Sequence, residues 1–196
     1  MTASSGAADA TVAVQLSRSE QVNLSDLVVR ATVVGHTYGW NAERTQLVTL
    51  TRLRVTEVYK GTAALGGELT LRQFGGEVDG LVSHIAGDPQ LQDGADVVAF
   101  LRAGPGVVFL TAMAQSVYFV APPQVSGPAS LPGSVTGAGA GADASARVVW
   151  RDLSGLSFAV PNARGPMQVV EPVAEGPESL DHLRAALRSL AAGGAR

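Results

Sequence analysis

The sequence predicts a mainly β protein: a small, strongly bent barrel with a short helix near its N-terminus and an amphipathic helix at its C-terminus. Three observations point there. Apolar residues alternate with polar ones through several long runs, the period of half-buried strands. Those runs change parity or stop at glycine pairs, as strands bent round barrel corners do. Helical start signals and a leucine stripe at helical spacing occur only near the two ends.

Residues 1–15 read as a flexible lead-in. Ser17-Arg18-Ser19-Glu20 fits a capping box, with the Ser hydroxyl and Glu carboxylate each taking a free backbone N–H, so a short helix over about 18–24 is expected. In the strand from Leu27 to Val34, alternation places Leu27, Val29, Ala31 and Val33 on one face, and Arg30, Thr32 and His36 on the other. A loop over 36–45 leads to a long strand, 46–60. There Leu53 and Val55 have one parity, Val48 and Leu50 the other, which predicts a bulge near Thr51 or burial on both faces. The strand Glu68–Phe74 points Leu69 and Leu71 inward and Glu68, Thr70 and Arg72 outward, before Gly75-Gly76 breaks it.

Segment 77–94 reads as loop with one short strand at 81–85, ending in an Asp93-Gly94 turn. Val97–Leu101 reads as a buried strand and Gly104-Pro105-Gly106 as the turn to a returning strand, Val107–Thr111, with another at Ser116–Val120. Residues 121–146 are Gly-, Pro-, Ala- and Ser-rich without periodicity, a flexible insertion within a single domain spanning 16–196. Replacing it by a short Gly/Ser linker should leave the melting temperature within a few degrees, since it buries little and costs much to order. A large loss in a thermal melt would show that it packs. Strands follow at 147–151 and 156–160. The last helix, 177–190, carries Leu180, Leu183, Leu187 and Leu190 as one stripe, and Gly193-Gly194 stops it.

Composition narrows the function classes. Hydrophobic residues make up 46% of 196, enough for a core, but aromatics only 5%, so Val, Leu and Ala must fill it. A net charge of −3, from 14 basic and 17 acidic residues, argues against a dedicated nucleic-acid binder. Without cysteine there is no disulfide, thiolate chemistry or Cys-ligated metal. No apolar run reaches the roughly 18–20 residues of a membrane span. Met1–Ala10 has neither the basic start nor the apolar stretch of a secretory signal. Its small, polar residues also suit a start left by signal removal, and a secreted or periplasmic setting is expected.

Asp26–Val33 resembles the opening strand of the netrin-like module, the OB-type barrel of the tissue inhibitors of metalloproteinases. Val55–Gly61, ending in Tyr59-Lys60-Gly61, resembles that module's next strand. Leu91–Leu101 is similar to its later glycine-then-buried-strand element. The same phrases resemble uncharacterised secreted bacterial proteins. The resemblance spans roughly residues 22–120 and implies an OB-like barrel in a secreted protein. Those inhibitors act through an N-terminal cysteine, which this chain lacks, so no inhibitory residue carries across.

The candidate chemistry is sparse. His36 and His84, with Glu77, Asp79, Asp88 and Asp93, are the only grouping that suggests a metal or His/carboxylate hydrolase, and no HxH or HExxH spacing fixes it. His182 falls on the polar side of the last helix. The acidic stretch Asp88–Asp96 lacks the alternating oxygens of a calcium loop. Neither a Gly-x-Ser-x-Gly elbow nor a phosphate loop occurs. No cofactor is called for. Tyr38 and Trp40 share one short stretch with Arg44; Trp40 is either a contact residue or a plug in a barrel end. The resulting expectation is a non-catalytic module binding a protein or extracellular polymer through the 36–45 loop and an outward face carrying Arg72 and Phe74. A metal-dependent or His/carboxylate hydrolase is the alternative. Single-stranded nucleic-acid binding is a third reading, for which a basic groove is missing.

Overall fold

A computed structural model describes residues 11–121, 147–160, 166–173 and 175–193. Strand β1 (Thr11–Val14) comes first, so the expected flexible lead-in is overturned from residue 11 onward. It pairs in parallel with a later strand, whose ladder satisfies its backbone. Residues 1–10 lie outside the described residues, as does all of 121–146 except Ala121. Helix α1 (Arg18–Leu24) has the expected capping box: Ser17 accepts from the Glu20 N–H, and Glu20 accepts from the Ser17 N–H at 2.7 Å. The single lysine, Lys60, donates to the Val22 and Ser25 carbonyls at 2.7 and 2.8 Å, closing the helix's other end.

Two long antiparallel strands follow, β2 (Leu27–Trp40) and β3 (Leu47–Lys60), then β4 (Glu68–Phe74). A small hairpin, β5 (Gly76–Val78) and β6 (Leu81–Ser83), precedes β7 (Asp96–Gly104) and β8 (Val107–Leu110). A single 3₁₀ turn at Met113–Ser116 leads into β9 (Val117–Val120). Three short strands, β10 (Val148–Trp150), β11 (Leu156–Val160) and β12 (Gln168–Val170), are followed by the two-residue β13 (Glu178–Ser179) and α2 (Leu180–Gly193). The main sheet has the order β13-β10-β9-β7-β2-β3-β4-β8; β4 and β8 meet in parallel at Leu71 and Val108, and β8 also pairs with β7. A separate sheet, β1-β11-β12, packs Leu156 and Phe158 against Ala114.

The main sheet buries both faces. One face gathers Leu27, Val29, Ala31 and Val33 of β2 with Leu53, Leu71, Val97, Ala99 and Leu101. The other gathers Val28, Tyr59, Val98, Phe100, Tyr118 and Val149 beneath Val22 of α1 and Leu180, Leu183 and Leu187 of α2. Runs such as Val97–Leu101 are continuously apolar because neither side meets water. No helix among the described residues is long and apolar enough to cross a membrane.

The bulges are not where alternation placed one. The β3–β4 register runs unbroken from Val48–Phe74 to Arg54–Glu68, straight through Thr51. The irregularities lie in the β2–β3 ladder: Val34 of β2, and Thr56 and Tyr59 of β3, are the unmatched residues. A one-residue bulge exchanges the two faces of everything beyond it. Thus His36 lies opposite Thr51, on the side of Val33 and Leu53, rather than with Arg30 and Thr32. On β3, the extra Thr56 turns Glu57 toward α2.

Candidate functional site

The Val34 bulge places His36, Tyr38 and Trp40 on the face that carries the inner core, but beyond the point where that core ends. The expected 36–45 loop is therefore corrected: residues 36–40 continue β2, and only a tight turn over 41–46 remains. The Asn41 side-chain oxygen accepts from the Thr45 and Gln46 N–H groups at 2.8 and 3.1 Å. Arg44 sits exposed on this turn with φ of 55°, its N–H donating to the Asn41 carbonyl. Tyr38 is 50% and Trp40 39% exposed, so Trp40 plugs no interior. Arg72 and Phe74 lie on the opposite face by register. The Arg72 guanidinium stands 5.9 Å from the centre of the 48%-exposed Phe74 ring, and its buried Nε has no hydrogen-bond partner among the described residues.

Between the ends of β2, β3 and β4 and the β5–β6 hairpin opens a cleft of about 400 Å³. His36, Tyr38, Gln73, Phe74, His84 and Asp88 all line it, so side chains from four separate stretches of chain converge. The second strand of the hairpin that forms one wall falls within the strand expected at 81–85, whereas its first strand and turn were read as loop. Its turn, Asp79-Gly80, has φ of 52° and 78°, the left-handed pair of a two-residue hairpin, and Asp-Gly between Val78 and Leu81 was the available signal. Gly76, at φ of 137°, lets this wall come close: a Cβ there would stand 2.9 Å from Tyr38 Cδ1.

His36 is bonded through Nδ1 to the Asp93 carboxylate at 2.8 Å and lies parallel to the Tyr38 ring, 6.2 Å between centres. This fixes the orientation of the Tyr38 edge of the cleft. The Gln90 amide and His84 Nδ1 are 3.0 Å apart; with the amide nitrogen as donor, His84 carries its proton on Nε2. Burial pushes the Asp88 carboxyl up to about 6, against the opposing pull of the Gln73 amide and the His84 ring. His182, by contrast, stands on α2 beside Glu178, outside the cleft.

The residues that line the cleft bring amide, carboxyl, imidazole and aromatic side chains together. Among the described residues, no group of three or more His, Asp or Glu side chains is placed to hold a metal ion. Among the described residues, no hydroxyl is hydrogen-bonded to His36. The chain matches no protein-family model and none of the curated proteins.

Proposed function

We propose that the protein is a secreted or periplasmic binding module, non-catalytic, built on an OB-like barrel of the netrin-like kind. It would engage a protein partner with the exposed end of the β2–β3–β4 ribbon. The observation that carries this reading is the aromatic edge: Tyr38, Trp40 and Phe74 stand 50%, 39% and 48% exposed beside an open cleft, in a chain with only 5% aromatic residues. Trp, Tyr and Arg are the residue types that carry most protein–protein binding energy, and Arg44 and Arg72 flank this edge. The barrel reading is supported by the pairings that lead from β7 through β2, β3, β4 and β8 back to β7. A barrel with that order presents such a ribbon end as a binding face.

The hydrolase reading keeps one supporting observation, the His36–Asp93 pair at the cleft. It differs in the fate of the ligand, recovered intact from a binding module and cleaved by a hydrolase. Nucleic-acid binding finds no support in a cleft lined by neither Lys nor Arg.

The test is a screen of the chain against a displayed peptide library and a panel of extracellular polysaccharides. Trp40→Ala should leave the melting temperature nearly unchanged, because the ring is 39% exposed at a strand end. The same change should weaken binding of the selected peptides by about tenfold or more. Peptides held equally well by the Trp40→Ala and Tyr38→Ala chains would overturn the reading, and selection of a polysaccharide instead would replace the protein partner.

A further inference from the structure

We propose that the cleft between β4 and the β5–β6 hairpin receives a cationic side chain, arginine or lysine, presented by a polypeptide, with the Asp88 carboxylate as its counter-ion. This rests on the binding reading above and names the ligand chemistry of the same site.

The first support is the charge of the lining. It contains two carboxylates, Asp88 and Glu77, and neither Lys nor Arg. The second is the contrast between Asp88 and other recessed acids. Glu57, Asp96 and Glu178 are each held by arginines of this chain, whereas no Lys or Arg among the described residues pairs with Asp88. Asp88 is nonetheless partly buried, and the groups that face it are neutral or weakly basic. Gln73 reaches it from β4 and His84 from the segment after β6, while His36 and Tyr38 of β2 and Glu77 of β5 complete the surroundings. A carboxyl desolvated without a cation is costly, and its upward displacement to about 6 expresses that cost. A guanidinium or ammonium entering the cleft would supply the missing charge.

The third support is the walls. Tyr38, on the face of the ribbon that meets the cleft, offers its ring to a flat cation. Gln90 and Ser83 at the cleft supply acceptors for the remaining N–H donors.

The experiment titrates the full chain with the peptide acetyl-Gly-Arg-Gly-amide and with its counterpart carrying citrulline, the neutral isostere, following backbone amide shifts by NMR. The arginine peptide should shift amides over 73–90 and bind at least about tenfold more tightly than the citrulline peptide. Its affinity should fall about tenfold from pH 7 to pH 5 as Asp88 takes up a proton. Asp88→Asn should cost about tenfold or more in arginine binding and flatten that pH dependence, while its melting temperature at neutral pH stays at or above that of the parent chain. Glu77→Gln, at the rim, should give a smaller loss. Equal binding of citrulline, no binding of either peptide, or arginine binding unaltered in Asp88→Asn would each overturn the inference. If library-selected peptides still depend on Tyr38 and Trp40 in that event, the binding reading survives; if they do not, both fall.

Discussion

Leu183→Ala should lower the stability of the folded chain by about 2–5 kcal/mol. Leu183 is 0% exposed and lies in the cluster with Val28, Tyr59, Val98 and Phe100, to which α1 and α2 contribute Val22, Leu180 and Leu187. A 14-residue helix is marginal alone in water, so α2 holds its shape by docking, and the docked face cannot collapse onto the truncated site without moving the helix. Leu187, 1% exposed one turn later, should behave similarly, and the exposed His182 should tolerate alanine with little change. Urea unfolding measures both. A loss below about 0.5 kcal/mol at Leu183 and Leu187 alike would mean that the helix lies loose on the sheet.

Removing the charge at Glu57 should cost about 2–3 kcal/mol at pH 7. Its carboxylate receives two bonds from Arg184 of α2, at 2.9 and 2.8 Å, and one from Arg30 of β2 at 2.8 Å. Arg30 in turn holds Asp96 of β7 through two bonds, at 2.9 and 2.6 Å, and Asp96 also pairs with Arg147. This chain of charges ties the terminal helix across three strands. With its side chain 24% exposed, Glu57 is screened enough to keep the effect below that of a fully buried pair. The Arg184 hydrogen bonds, then those of Arg30, hold the carboxyl down to about 2 against an ordinary 4.5, outweighing burial. The folded state therefore gains from the ionised form. That gain is complete above about pH 4.5 and drains away as the pH falls toward 2. Glu57→Gln should be less stable at pH 7 and should lose less on acidification; parallel stability–pH curves for the two chains would show that the network contributes nothing.

Legibility in the sequence follows the range of the interactions. The capping box at Ser17–Glu20 and the leucine stripe of α2 are set by neighbours three and four residues away, and both are seen as read. Strand positions were legible too, because alternation is local. What alternation cannot carry is where a bulge resets it. The unmatched Val34 is apolar like its neighbours, so the face exchange that sends His36 and Tyr38 into the cleft, with Trp40 on the same face, leaves no mark in the pattern. Strand β1 was missed because its pairing partner, β11, comes more than a hundred residues later. The cleft was half legible: His36, Tyr38, Phe74, His84 and Asp88 were singled out for separate reasons, but their meeting depends on the β5–β6 hairpin, whose Asp79-Gly80 signal was passed over. Gln73 and Gln90 offered no signal, since an amide becomes informative only once its neighbours are known.

We propose ligand recognition at the end of the β2–β3–β4 ribbon and the cleft beside it. The most direct measurement is amide chemical-shift mapping of the full chain on titration with a peptide selected from the displayed library. Shifts should concentrate in residues 36–46, 73–77 and 82–90, and the Trp40 indole N–H should move with them. Shifts confined to the β1-β11-β12 sheet or to the exposed side of α2, with Tyr38 and Trp40 unmoved, would contradict it.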